Sequence, residues 1–311
     1  MATGEPKAIS PQRRRSLSRA GQHDDPFRPL EPECQVVQFD QPLSADELLK
    51  AGKLFRSRPE VQLYVYGRAS RNLDFLGYFP GLQRLQLALY DLDDVAALAL
   101  VAGSLRELHF GPTRRKFSLR FLGAMPCLSA LFLAGHKKDI AAIQTVPISQ
   151  LGLSMLTLPD LSVFLPLDKL SDLSIILGGT RNLALMPRFR RLEKLTLMRI
   201  SKMADLAIIA KLPSLRELYL EGMRNVSALP NLSPLASLRR VRLDTMKGLT
   251  DLSPVGAAPA LEELNITNMP QLNVDSFRCL VGHSHLKTVW AYTGRAKVNQ
   301  AIKHMFPSIA R

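Results

Sequence analysis

The six residues Leu215-Arg-Glu-Leu218-Tyr-Leu220 have the form L-x-x-L-x-L, and that form returns through most of the chain. Counting its first residue as position 1, copies start at Glu60, Leu82, Leu105, Leu128, Ile148, Leu170, Leu192, Leu215, Leu238, Leu261 and Leu286. The steps between starts run from 20 to 25 residues. Eleven starts so evenly spaced call for a repeat architecture, in which each unit stacks on the next. Within the form, positions 4 and 6 stay apolar while 3, 5 and 7 vary. That is the period of a strand with one buried face. A unit this short cannot cover its own apolar face, so stacking must do it, and stacking joins the strands into one parallel sheet.

The apolar share is 46% but the aromatic share only 6%, so the core is built mainly from Leu, Ile, Val and Ala. An aliphatic stack suits that composition better than a core with aromatic anchors.

Period and pattern together resemble the leucine-rich-repeat family over about residues 60–295. The resemblance implies an α/β repeat solenoid: a leucine-rich-repeat horseshoe with a parallel concave β-sheet and a short helical or irregular convex side. At about 4.8 Å per strand its concave wall is roughly 50 Å long. The chain departs from the family at position 9, where Asn or Cys usually hydrogen-bonds the turn. Here the position holds Tyr90, Thr113, His136, Leu156, Gly178, Ile200, Met223, Met246 and Met269. A methionine can only pack, so the turn must satisfy its backbone groups in another way. Later repeats continue in the manner of Met246, Leu249, Leu252. That short apolar return is similar to the bacterial internalin-like and phosphatase-regulator-like subtypes.

Around the repeats, residues 1–33 read as a disordered basic and Ser/Pro tail, with almost no apolar periodicity. The run Arg13-Arg14-Arg15-Ser16 within it is a candidate kinase site or electrostatic handle. Residues 34–59 read as an N-terminal cap of a strand, Val36–Phe39, and a helix opened by the capping box Ser44-Ala-Asp-Glu47. Residues 296–311 read as a C-terminal capping helix.

The variable positions of the strands are the natural binding positions. Among them Tyr64, Tyr66, His109, Phe132, Tyr219, Arg242, Trp290 and Tyr292 are the candidate partner-binding residues of the concave face. Large aromatics and arginine are the usual anchors of protein interfaces. A second row follows the strand ends: Arg114, Arg115, Lys137, Lys138, Arg181, Lys202, Arg224 and Lys247 form a candidate basic edge. The net charge of +14 favours anionic partners. The tail contributes little of it, holding six Lys/Arg against five Asp/Glu.

No nucleotide-binding glycine motif and no H-E-x-x-H is present, so the expectation is a protein that is not an enzyme, with no catalytic residues, no metal and no cofactor. His283-Ser-His285 lacks a third ligand nearby in sequence and reads as two polar residues before the last strand. The three cysteines are far apart and odd in number, which fits reduced thiols in the cytoplasm. No window of about 18 apolar residues signals a transmembrane helix. The first thirty residues lack the apolar core of a signal peptide. The expected function is a non-catalytic, monomeric protein-interaction module that grips a partner protein, acidic where it meets the basic edge. The alternatives are a binder of nucleic acid or anionic lipid through the basic edge, and a secreted leucine-rich-repeat effector.

Overall fold

The computed structural model of the protein describes residues 13–17 and 25–306. Contacts divide the chain into two compact units, Met1–Ser154 and Met155–Arg311. In the first, the strands are β1 (Arg14–Ser16), β2 (Val36–Phe39), β3 (Gln62–Tyr66), β4 (Arg84–Ala88), β5 (Glu107–Phe110), β6 (Ala130–Ala134) and β7 (Gln150–Ser154). They pair in chain order, all parallel. In the second, β8 (Asp172–Ile176), β9 (Lys194–Met198), β10 (Glu217–Glu221), β11 (Arg240–Asp244), β12 (Glu263–Thr267) and β13 (Thr288–Tyr292) do the same. The strands β3 to β13 begin at position 3 of the eleven sequence repeats.

Like positions pair across strands: Tyr219 stands opposite Thr196 on one side and Arg242 on the other. One face of each sheet is therefore all position 4 and 6 residues, such as Leu195, Leu197, Leu218 and Leu220, and these are buried. Each such side chain contributes about 1.5–3 kcal/mol by leaving water. The other face carries positions 3, 5 and 7. The chain returns behind the core through short helical turns, among them Ala96–Leu100, Leu119–Ala124, Ser162–Phe164 and Ala207–Lys211. Each presses an apolar residue inward, here Leu98, Leu122, Phe164 and Ile209. The returns are started by a device that the leucine pattern does not reveal. Asn72, Asp94, Asp160, Asn182, Asp205 and Asp251 each accept, through a side-chain oxygen, the backbone N–H two residues on. This side-chain turn replaces a backbone bond where the chain must bend.

The unusual position 9 has its answer one residue earlier. In seven consecutive repeats position 8 is left-handed: Gly135, Met155, Leu177, Arg199, Gly222, Thr245 and Asn268 have φ between 50° and 73°. In that conformation each donates its N–H to the position 7 carbonyl of the next strand, at 2.7–3.0 Å. The ladder closes on itself, and Leu156, Ile200, Met223, Met246 and Met269 are free to pack in the core.

At the N-terminal side, α1 (Ala45–Ser57) starts at Ser44, whose hydroxyl accepts the Glu47 N–H while the Glu47 carboxylate accepts that of Ser44. The helix meets the Asp74–Tyr78 turn through Gly52, where any Cβ would lie 2.1 Å from the Tyr78 carbonyl oxygen. In the second unit a single helical turn, α2 (Ser253–Gly256), serves as one return, and α3 (Ala296–Met305) follows β13, burying Val298 and Ile302.

The reading of residues 1–33 as a disordered tail is corrected where the chain is described. Arg14–Ser16 forms β1, an added strand on β2. Arg15 is buried, its guanidinium donating to the carbonyls of Arg28 and Pro29 and to the Glu31 carboxylate. Leu17 is buried as well. Three paired residues show no periodicity in sequence, and their partners lie about twenty residues away, so composition alone misread them. Residues 1–12 and 18–24 of the expected tail, and 307–311 of the expected capping helix, lie outside the described residues.

Candidate functional site

The outward face of the first unit carries two clusters. Tyr64 and Tyr66, at positions 5 and 7 of one strand, stack with ring centroids 4.7 Å apart. The Arg14 guanidinium stands 6.0 Å from the Tyr64 ring, and the Gln38 amide donates to the Tyr66 hydroxyl at 3.3 Å. Part of this pair is thus held by β1 and β2. Farther along, His109 lies against Phe132 at 4.1 Å. Phe132 lies over Gly152, where a Cβ would come within 2.1 Å of the ring, so only glycine lets the ring rest on β7. Glu107 accepts from Arg84 at 2.7 Å and meets His109 Nε2 at 2.7 Å. Burial alone would raise the Glu107 pKa, but the hydrogen bonds and charges of His109 and Arg84 outweigh it and hold the carboxyl at about 2.

The second unit gathers a tighter group. The Arg242 guanidinium lies 4.5 Å from the Tyr219 ring centroid, a cation–π contact. The Tyr219 hydroxyl donates to Glu221, and Glu221 in turn pairs with Arg199 at 2.9 Å. Burial first, and then the bond to Glu221, pushes the phenol well above its ordinary pKa. Arg242 also reaches Asp244 at 3.8 Å. Arg199 escaped the sequence reading because it sits at position 8, where the strand pattern has already ended. Position 3 in this unit alternates in sign from strand to strand: Asp172, Lys194, Glu217, Arg240, Glu263. Glu217 holds Lys194 at 3.4 Å and Arg240 at 3.3 Å, so this row spends its charge on itself. Trp290 and Tyr292, on β13, are 51% and 68% exposed.

The candidate basic residues differ between the units. In the first, Arg114 pairs with Asp91 at 3.6 Å and Arg115 with Asp93 at 3.8 Å, while Lys137 and Lys138 are exposed. In the second, Arg181, Lys202, Arg224 and Lys247 are exposed and make no ion pair among the described residues. The His283 ring nitrogen bonds the Ala258 carbonyl at 2.9 Å, a structural contact. Among the described residues no group of three or more His, Cys, Asp or Glu could hold a metal ion, and no helix is long and apolar enough to cross a membrane.

Neither a protein-family model nor a curated protein matches the chain. Among solved structures, the internalin InlF of Listeria monocytogenes superposes with a TM-score of 0.53 at 17% identity, over 82% of this chain and 72% of that one. Internalin C2 of the same organism covers 72% of this chain and 84% of its own, at 17% identity and a TM-score of 0.43. A chain of the Drosophila Toll–Spätzle complex covers 84% of this chain and 36% of its own, at 15% identity and a TM-score of 0.48. The first of these likenesses shows a shared fold. The chain is a leucine-rich-repeat solenoid.

In this solenoid the leucines at positions 4 and 6 are buried in the core, and the intervening positions face outward. The structure brings Tyr219 together with Arg242, and His109 together with Phe132. It keeps Trp290 and Tyr292 apart from the Tyr219 group by the width of β12.

Proposed function

We propose that the protein is a non-catalytic module that binds a partner protein on the outward, concave-type face of its sheets, with Tyr219 and Arg242 as the central anchors. The observation that carries this reading is the preassembled Tyr219–Arg242–Glu221–Arg199 group. Tyr and Arg are the residue types that dominate binding hot spots. Here both are held by neighbours before any partner arrives, so docking costs little rotamer entropy. Arg242 keeps 45% of its side chain exposed, with donors free for a carboxylate or a backbone carbonyl of the partner. His109 and Phe132 offer the equivalent anchor on the first unit. Cys127 and Cys279 are exposed free thiols, which supports a reducing compartment such as the cytoplasm.

The test is affinity capture from native lysate, with partners identified by mass spectrometry, for wild type and for a Tyr219→Ala/Arg242→Ala variant whose circular dichroism is unchanged. The variant is expected to lose at least one wild-type partner. Retention of every partner at wild-type yield overturns the proposal.

A further inference from the structure

Positions 5 and 7 hold two aromatic residues on two strands of this protein, and the two pairs behave differently. Tyr64 and Tyr66 close on each other, with centroids 4.7 Å apart. Trp290 and Tyr292, at the same two positions of β13, make no aromatic stacking or cation–π contact with each other or with any other described residue. Two residues along a strand span about 6.7 Å, which leaves room for one planar group between the rings. Both are among the most exposed large apolar residues of the described chain.

The charge around them is one-sided. From residue 276 to 306 the sequence contains no Asp or Glu. Of its Lys and Arg, Arg278 is paired with Asp275 and Lys287 with Glu262, which leaves Arg295, Lys297 and Lys303 without an ion pair among the described residues. Gly294, with a φ of +89°, turns the chain directly after β13, and Arg295 and Lys297 beyond the turn are exposed. Arg295 stands at position 10 of its repeat, the position that carries Arg224 and Lys247 in earlier repeats of the same unit. The nearest carboxylates on the neighbouring strand are already engaged. Glu262 holds Arg239 and Lys287. Glu263 accepts from the Asn265 amide at 2.7 Å and keeps its charge, at the far end of β12 from the turn that carries Arg295 and Lys297. The residues beside Trp290 and Tyr292 in register are Asn265 and Thr267, polar and uncharged.

An open aromatic pair, flanking hydrogen-bonding groups and a cationic rim are together the chemistry of single-strand nucleic-acid binding. A membrane-inserting site calls for apolar flanks, and Asn265 and Thr267 are not apolar. We propose that β13 is a binding site for single-stranded nucleic acid, with a base taken between Trp290 and Tyr292 and the phosphates taken by Lys247, Arg295 and Lys297. This reading does not rest on the protein-docking proposal above.

Trp290 is the sole tryptophan of the chain, so its fluorescence reports this site directly. The full chain is titrated with a twelve-nucleotide oligothymidylate, and separately with its duplex, with phosphatidylserine vesicles and with an oligoglutamate of matched charge. The expected result is quenching of Trp290 by the single strand, and a loss of affinity of about tenfold between 50 and 200 mM salt. Anisotropy of a labelled oligonucleotide then reads variants. Tyr292→Ala and Trp290→Ala each weaken binding about tenfold, the worth of one stacked base. Arg295→Glu/Lys297→Glu weakens it and flattens the salt slope. The two aromatic positions are exposed, so these variants keep the fold. No quenching at millimolar oligonucleotide overturns the proposal. So does a larger response to the duplex, the vesicles or the oligoglutamate, which would assign the site to double-stranded nucleic acid, a lipid surface or an acidic polypeptide. Partner capture through Tyr219 and Arg242 has its own readout, so either reading can fail without the other.

Discussion

His136 shows how a single side chain takes over a turn that the repeat pattern leaves unsatisfied. It is fully buried at position 9, stacked on Phe110 at 4.2 Å, with Nε2 bonded to the Gly111 carbonyl at 3.0 Å. Its Nδ1 has no partner among the described residues. Burial lowers its pKa, the Gly111 carbonyl opposes that, and the Lys116 ammonium adds to the lowering. The sign follows from linkage. The unfolded chain takes up the proton near pH 6.5, and the folded chain does not until a lower pH. The stability is therefore complete above about pH 6.5 and is lost as the pH falls from there toward the folded pKa. Urea unfolding at pH 7.5 and 5.5 should show a lower midpoint at the acid pH, and a His136→Gln variant should show a smaller difference. An equal difference in both proteins refutes the assignment. The position was legible in the sequence as a departure from the repeat; the orphaned nitrogen was not, because it depends on Phe110 and Gly111 of the preceding repeat.

At the scale of the element, the strand ends are governed by position 8. Its left-handed backbone lets one N–H reach the next strand, and this strains every residue there except glycine by about 1–2 kcal/mol. Gly222→Ala, at a φ of 65° and with Arg199 Cγ 2.8 Å from the new Cβ, should destabilise the protein by about 1–2 kcal/mol. Leu177→Gly, at a φ of 51° and a partly exposed site, should be neutral or stabilising by up to about 1 kcal/mol. Both are read from urea midpoints, and opposite signs would show that this ladder is not the constraint. The strands of the repeats were readable, because alternation is a local signal. The left-handed position was not: Gly222 and Asn268 are types that favour positive φ, but Met155, Leu177, Arg199 and Thr245 give no hint of it in sequence.

For the molecule as a whole, stability is a sum over neighbouring repeats. Leu218→Ala should cost about 2–5 kcal/mol through the cavity it leaves in a closed core. The loss should appear first in the adjacent strands: amide hydrogen exchange should speed up most in β9, β10 and β11, and least in β13. Uniform acceleration across the second unit would mean that the unit opens as one body. The net charge of +14 is likewise distributed by neighbours and not by composition. Asp91 and Asp93 meet the arginines of one unit, while Arg181, Lys202, Arg224 and Lys247 of the other lack a carboxylate among the described residues.

The sequence alone determined the repeat, the strand register and the identity of the core, because each is set by residues within one turn of the pattern. It also marked the outward aromatic residues as candidates. Only the tertiary structure decided that Arg13–Leu17 includes an added strand, that Glu217 pairs with Lys194 and Arg240 along position 3, and that Tyr219 and Arg242 lie in contact. It also set apart two aromatic pairs that occupy the same positions, Tyr64 with Tyr66 closed and Trp290 with Tyr292 open. All of these depend on residues about one repeat apart in the chain that stacking brings within hydrogen-bonding or ring-contact distance.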